Sequence, residues 1–197
     1  MTEPARLSHV PGSPFARAAR ILVLEWELPV ELVEVSFPPP EALFDRTPFG
    51  QVPLLEFGST TLFPTLPVLN WLSMQADCPQ DIHDPLRDLQ VMLTICQMGD
   101  ALAAAYYQAW AGLGPVAENR LGFDPAERHL IRAGKALDWL GPRLTPAVSP
   151  PWITFACLLL WAEDRGGFAW RARSPLVAQI DSFAQRDSFG RTAPPPW

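Results

Sequence analysis

The sequence predicts an α/β domain followed by an all-helical domain, and two observations lead to this prediction. In the first 75 residues the patterns run in the order βαβ, then a β-hairpin, then a helix. After Met74 a polar, proline-interrupted segment follows, and no strand pattern appears beyond it. We therefore predict an α/β domain over residues 1–75, a linker over 76–84 and an all-α domain over 85–197.

The first three elements form a βαβ unit. Residues 5–10 form a short strand that ends at the turn of Pro11 and Gly12. Ser13 and Pro14 then begin a helix, since serine caps helix N-termini and proline suits the first turn. Residues 30–37 alternate between apolar and acidic side chains, which predicts a second strand. A βαβ unit places its two strands parallel, with a right-handed crossover.

The α/β domain ends with a hairpin and a helix. Residues 52–57 and 60–63 are two short strands joined at Gly58 and Ser59, and a helix is predicted over 65–72. Helical patterns then cover residues 85–111, 125–140, 154–164 and 175–185, and glycines follow the first three.

Composition and charge exclude several classes of function. The chain is 48% hydrophobic and 18% charged, which permits a sizeable core. Its formal charge is −6 and it has no basic tract, so we expect no nucleic-acid partner. The longest apolar run, residues 155–162, is far shorter than the ~20 residues of a membrane span. With no secretory signal visible, we expect a cytoplasmic protein without a membrane partner.

The cysteines and histidines lack the spacing of a metal site or a disulfide framework. They are widely separated: Cys78, Cys96, Cys157, His9, His83 and His129. We therefore expect no metal cofactor, and ordinary thiols and imidazoles in a reducing cytosol.

Three segments resemble bacterial glutathione S-transferases. Residues 12–21 (GSPFARAARI) resemble the first loop and helix of that family, and residues 47–56 (TPFGQVPLLE) resemble its Asn-Pro-x-Gly-x-Val-Pro stretch. Residues 185–192 resemble its last helix. They occur in the family's order and at its separations. The resemblance implies a thioredoxin-like N-terminal domain and a helical C-terminal domain.

The resemblance also implies a catalytic residue, Ser13, in a Ser-Pro-Phe loop where the family keeps serine or cysteine. Its hydroxyl would donate a hydrogen bond to the glutathione sulfur, and the thiolate would attack an electrophile. Taken alone, Ser13 is also a plain helix cap, and the two roles are compatible. A serine at this position excludes disulfide exchange there.

Further positions correspond to glutathione-binding residues of the family. They are Phe15, Gln51, Val52, Pro53 and Thr65. The resemblance implies a cis Val52–Pro53 bond and pairing of the Val52 backbone with the cysteinyl part of glutathione. Thr65 would bind the γ-glutamyl carboxylate at a helix start. Pro64 stands where the family has an acidic residue, so a partner for the ligand's ammonium group is missing.

Aromatic residues in the second domain are candidates for the electrophile pocket. Tyr106, Tyr107 and Trp110 lie on its first long helix, which borders the cleft in the family. Simple helix packing is the alternative. We expect Arg17 and Arg20 on a solvated face.

A helix of the second domain departs from the family's N-capping box. Thr154 would open this helix, with Cys157 where the box has aspartate. We expect this change to affect stability or folding more than chemistry.

The leading hypothesis is an enzyme that conjugates or transfers glutathione, its co-substrate, to small apolar electrophiles. Isomerisation or peroxide reduction at the same site is a close variant. The alternative is a non-catalytic relative that acts through protein contacts, as the stringent starvation proteins do; Pro64 favours it, whereas Ser13 and Gln51-Val52-Pro53 favour the enzyme. The family also implies a homodimer.

Overall fold

The structure is a computed structural model that describes residues 4–76, 84–112, 123–165 and 167–195. The predictions for Cys78, His83 and most of the linker fall outside these residues. The exact domain boundaries remain a prediction.

The N-terminal part contains a four-stranded mixed sheet, as predicted. Its strands are β1 (Ala5–His9), β2 (Val30–Glu34), β3 (Leu54–Phe57) and β4 (Thr60–Leu62), in the order β2-β1-β3-β4. β1 pairs with β2 in parallel, and the pairs β1–β3 and β3–β4 are antiparallel. All four strands are shorter than predicted; β3, for example, begins only after Pro53, because proline cannot donate to a ladder.

Seven α-helices lie in the described residues. They are α1 (Pro14–Glu25), α2 (Thr65–Gln75), α3 (Pro85–Trp110), α4 (Pro125–Leu140), α5 (Pro150–Asp164), α6 (Val177–Ala184) and α7 (Asp187–Arg191). The last predicted helix, over 175–185, is thus α6, and the short α7 follows it. None of the described helices combines the length and the hydropathy that a membrane crossing needs.

Helix α5 forms the centre of the core, and its start corrects one prediction. It begins at Pro150 with Ser149 as the N-cap, whereas the sequence indicated a start at Thr154. Thr154 lies inside the helix, where its hydroxyl donates to the Pro150 carbonyl at 2.7 Å. The two prolines caused the error, because proline is compatible with the first helical turn as well as with a loop. The third helical position holds the fully buried Trp152, so no acidic side chain completes a capping box.

The end of the chain is fastened to α1, which corrects the prediction for Arg17 and Arg20. Arg17 donates to the Phe189 carbonyl at 3.0 Å and to the Thr192 hydroxyl at 3.4 Å. Arg20 donates to the Thr192 carbonyl at 3.5 Å. Both arginines are half-buried and do not form a solvated face. Carbonyls at a helix end lack helical partners, and here guanidinium groups satisfy them.

Candidate active site

Ser13 lies where β1 leads into α1. Its N–H donates to the Val10 carbonyl at 3.0 Å, which closes the connecting turn. Its Oγ accepts from the Ala16 N–H at 3.2 Å, so the predicted helix cap is confirmed. A hydroxyl that accepts one bond still carries a proton to donate. The half-buried Ser13 therefore offers a donor at the positive end of α1.

Val52 and Pro53 follow the same edge of the sheet. Their peptide bond is cis, as predicted. Because β3 pairs with β1 through Ser8 and Leu54, Val52 lies beside the turn that carries Ser13. Within the described residues, neither the N–H nor the C=O of Val52 has a hydrogen-bond partner. Gln51, which precedes it, is exposed, and Pro53 is buried.

Helix α2 begins at Thr65 without a side-chain cap. Pro64 is its N-cap residue and supplies no side-chain acceptor, and the first turn contains no acidic residue. The amide N–H groups at this helix start can therefore receive an anion. Thr65 is 8% exposed. The start of α2 thus has donors for a carboxylate but no carboxylate of its own for an ammonium group.

Phe15, on α1, packs against helices of the C-terminal part. Its ring lies against Gly99 of α3, where a β-carbon would stand 3.1 Å from the Phe15 Cε2 atom and nearer still to Cζ. The same β-carbon would lie 2.8 Å from a methyl group of Leu158 on α5. Phe15 therefore packs between α1, α3 and α5, two residues after Ser13.

The three predicted pocket residues contact one another. Ring centroids lie 5.5 Å apart for Tyr106 and Tyr107, and 6.0 Å apart for Tyr106 and Trp110, whose planes are nearly parallel. Tyr106 also meets Trp161 of α5 edge to face at 5.4 Å. Trp110 lies 6.1 Å from Phe37, which follows β2. We call these five aromatic residues, together with Arg165, the aromatic cluster.

Arg165 is the charged member of the aromatic cluster. Its guanidinium carbon lies 5.6 Å from the Tyr106 ring centroid and 5.9 Å from that of Trp161. Burial lowers the pKa of Arg165, and Tyr106, Asp164 and Tyr107 act in the opposite direction. Sequence reasoning missed Arg165, Trp161 and Phe37. Trp161 lies on α5, and Arg165 is the C-cap residue of this helix, four positions later, so helical spacing alone could have paired them.

The aromatic cluster reaches the edge of the sheet at which Ser13 lies. Phe37 follows β2 and Ser13 follows β1, and the carboxyl ends of these parallel strands meet at one edge of the sheet. Phe15 contacts α3 at Gly99, and Tyr106 lies seven residues further along, about 10 Å at the helical rise. Phe15 therefore contacts the middle of α3, and the aromatic cluster lies nearer the C-terminal end of the same helix.

Other polar features lie away from these residues or lack the required chemistry. A groove of about 1110 Å³ between α3 and α4 contains none of the predicted site residues. Burial raises the pKa of Cys96 to about 11 and that of Cys157 to about 12, so neither thiol ionises near neutral pH. In the described part of the chain, no three metal-ligating side chains form a group.

The mixed sheet in the order β2-β1-β3-β4, the helix that follows β1 and the cis-proline before β3 define a thioredoxin-like domain. Residues 7–80 match the family model of the glutathione S-transferase N-terminal domain. The N-terminal part therefore belongs to the glutathione S-transferase family, and the whole chain has the fold of these enzymes.

Solved structures extend the similarity over nearly the whole chain. A glutathione S-transferase from Methylobacillus flagellatus KT with glutathione bound has a TM-score of 0.79 at 22% identity, with 97% of this chain and 100% of that chain covered. A family member from Pseudomonas fluorescens Pf-5 with bound glutathione has a TM-score of 0.79 at 25% identity, covering 97% and 99%. A second structure of that family member holds S-(propanoic acid)-glutathione, with a TM-score of 0.77, 23% identity and 97% coverage of each chain. No curated protein matches the chain by sequence.

Proposed function

We propose that the protein is a glutathione transferase in which Ser13 stabilises the glutathione thiolate and the aromatic cluster receives the electrophile. The observation that carries this proposal is the Ser13 hydroxyl at the N-terminus of α1, beside the unpaired backbone of Val52. With 1-chloro-2,4-dinitrobenzene, the thiolate forms a C–S bond at the chlorine-bearing carbon. The C–Cl bond breaks, chloride leaves with the electron pair, and the thiol proton passes to water.

Glutathione would bind along the edge of the sheet. The Val52 N–H and C=O would pair with the cysteinyl unit, beside Gln51 and Pro53, and the start of α2 at Thr65 would receive the γ-glutamyl carboxylate. Phe15, which lies on α1 and packs against Gly99 of α3, would support the thiol end of the site. The structures from Methylobacillus flagellatus and Pseudomonas fluorescens contain bound glutathione, which supports glutathione as the ligand.

A hydrogen bond from Ser13 would lower the pKa of the bound glutathione thiol enough to ionise much of it at neutral pH. Hydrogen bonds to charged groups contribute roughly 1.5–3 kcal/mol, and 1.36 kcal/mol equals one pKa unit. A free thiol has a pKa of about 8.5, so such a bond would bring the bound thiol near or below pH 7.

Ser13→Ala should raise the pKa of bound glutathione by at least about one unit, because the donor to the thiolate is lost. The measurement is the ultraviolet thiolate absorbance of bound glutathione across a pH series, with calorimetry for affinity. Ser13→Thr retains cap and donor and should behave as the wild type. Ser13→Asp retains a cap but has no donor when ionised, so it separates capping from thiolate stabilisation. An unchanged thiolate pKa in Ser13→Ala would contradict the role of Ser13.

Glutathione and N-acetylglutathione should bind with affinities within about threefold of each other, a difference below 1 kcal/mol. Residues 57–76 contain no acidic side chain, and the carboxylate of Glu56 is engaged by Arg46, whose Nε donates to it at 2.9 Å. Blocking the ligand's ammonium group therefore removes no salt bridge to this segment. Calorimetric titration of both tripeptides measures the ratio. A loss of tenfold or more on acetylation would reveal an acidic partner elsewhere.

Pro64 also supports a second candidate, a non-catalytic protein that acts through protein contacts. It leaves α2 without the acidic residue of the family pattern. Absence of glutathione binding up to ~10 mM, where binding is worth less than 4 kcal/mol, would favour that candidate. A homodimer and a cytoplasmic location are part of the first proposal, and sedimentation analysis tests the dimer.

A further inference from the structure

An exposed aromatic ring lies directly against the glycine that precedes Gln51-Val52-Pro53. Gly50 has a φ of +55°, a left-handed conformation that favours glycine. A β-carbon at Gly50 would lie 2.6 to 2.8 Å from three atoms at the tip of the Phe44 ring, so the ring fills the space that a side chain would need. Phe44 is 57% exposed and lies outside the hydrophobic core. Core packing therefore does not account for the position of this ring.

The backbone that carries Phe44 is anchored by hydrogen bonds. Phe44 directly follows a short 3₁₀ helix, Glu41–Leu43. The carbonyl of the buried Leu43 accepts from the Thr47 N–H at 3.0 Å, and Thr47 is only 2% exposed. The carbonyl of Thr47 in turn accepts from the Gly50 N–H at 3.3 Å. The ring therefore projects from a hydrogen-bonded turn that ends at Gly50.

This backbone hydrogen bonding stops at Gly50. Within the described residues, neither Gln51 nor Val52 makes a backbone hydrogen bond, and strand pairing begins only at Leu54. Glycine populates positive and negative φ about equally well, so by itself Gly50 does not fix the direction of the residues that follow. Because the Phe44 ring occupies one side of Gly50, it limits the directions in which the Val52 backbone can point.

We propose that Phe44 is a positioning residue for glutathione: its ring holds Gly50 in the left-handed conformation and so directs the N–H and C=O of Val52 towards the cysteinyl unit. This inference rests on the proposed function and adds a residue to that binding site. Phe44 acts through Gly50 and does not touch the thiol, so its contribution is to affinity, whereas that of Ser13 is to ionisation of the thiol.

Phe44→Ala should raise the Kd for glutathione about tenfold, because binding must then also order the backbone of about one residue. Calorimetry measures the Kd, and circular dichroism confirms the fold. The pKa of the bound thiol should stay at its wild-type value, since the donor at Ser13 is unchanged; a general loss of structure would alter it. Ile131→Ala is the matched control, since this side chain on α4 is 55% exposed, and it should leave the Kd unchanged. An unchanged Kd in Phe44→Ala would overturn the proposal.

Further variants test the contact between the ring and the glycine. Gly50→Ala should weaken glutathione binding in the wild type, because its β-carbon would clash with the Phe44 ring. In the Phe44→Ala background this clash is absent, so the further loss of affinity should be smaller. Phe44→Leu keeps a shorter apolar side chain and should retain part of the affinity. Equal losses from Gly50→Ala in the two backgrounds would show that the ring does not act through Gly50.

Amide hydrogen exchange separates this inference from the proposed function. The N–H groups of Phe49 and Gly50 donate to the hydroxyl and the carbonyl of Thr47, so their exchange reports on the order of this turn. Both should exchange faster in Phe44→Ala, with or without glutathione.

The two failures give different results. If the wild type does not bind glutathione, the proposed function fails and the ligand named here is wrong, while faster exchange in Phe44→Ala would still show that the ring orders the turn. If the wild type binds glutathione, and Phe44→Ala binds it equally well and exchanges at the same rate, the proposed function stands and the role of Phe44 is overturned.

Discussion

Gly99→Ala is expected to destabilise the protein by about 2 kcal/mol and to weaken the proposed binding of glutathione at the same time. A β-carbon at Gly99 would lie 2.8 Å from a methyl group of Leu158 and closer to the ring of Phe15. Leu158 is fully buried, so it has little room to move. Because the β-carbon meets two side chains at once, the overpacking cost is expected at the upper end of the usual range, roughly 3 kcal/mol, and about 1 kcal/mol returns from the higher helix propensity of alanine.

The effect on binding follows from the position of Phe15. It lies in the first turn of α1, two residues after Ser13, so a displaced ring shifts the helix start that carries the hydroxyl. Urea denaturation measures the change in the free energy of unfolding, and calorimetry measures the affinity for glutathione.

Gly134→Ala provides a matched control on α4. Its β-carbon would meet only the guanidinium of Arg173, whose Cζ would lie at 3.0 Å and whose side chain is 43% exposed. A flexible side-chain end can move away, so this substitution should change stability by less than about 1 kcal/mol.

The double variant Gly99→Ala/Phe15→Leu should lose less stability than the sum of the losses in the two single variants, because the smaller leucine leaves room for the new β-carbon. Additive effects would show that Phe15 and Gly99 are not coupled. An unchanged stability in Gly99→Ala would contradict the close packing of α1 on α3.

Local sequence patterns predicted those parts of the site that depend on local structure. The cap at Ser13 and the start of α2 at Thr65 follow from residue types within a few positions, whereas the cis bond before Pro53 was predicted from the family resemblance. Helical spacing likewise brought Tyr106 and Trp110 to one face of α3.

The residues of the site that the sequence did not predict depend on how elements distant in the chain pack together. Phe37 and Arg165 join the cluster only because the segment after β2 and the end of α5 approach the same face of α3. Arg17 finds its partners about 170 residues further along the chain, at the end of α7. Periodicity indicates which face of a helix is apolar, but not which element covers it.

His9 makes the protein less stable in acid, and removing it should abolish that part of the pH dependence. His9 ends β1 and is 4% exposed, and its Nδ1 atom is buried without a hydrogen-bond partner in the structure. Burial lowers the pKa of His9 to about 4, and the nearby charge of Arg20 contributes in the same direction. Arg20 itself has Arg17, Glu34 and Cys157 as its electrostatic neighbours.

The direction of the effect follows from the two protonation equilibria. An unfolded histidine has a pKa of about 6.5, so between pH 6.5 and 4 the unfolded chain binds a proton that the folded protein does not. The stability provided by neutral His9 is therefore complete above pH 6.5 and is lost as the pH falls towards 4. A shift of this size corresponds to about 3 kcal/mol.

Urea denaturation of the wild type and His9→Leu at several pH values between 7 and 4 measures this contribution. The difference in free energy of unfolding between the two proteins should change by about 3 kcal/mol across this range, with the variant gaining on the wild type in acid. Carboxylates titrate in both proteins, so their contribution cancels in the difference. His129→Leu, on α4, removes a histidine far from β1 and controls for the loss of an imidazole. A pH-independent difference between wild type and His9→Leu would mean that His9 is protonated equally in the folded and unfolded states, and that β1 tolerates a charge beside Arg20.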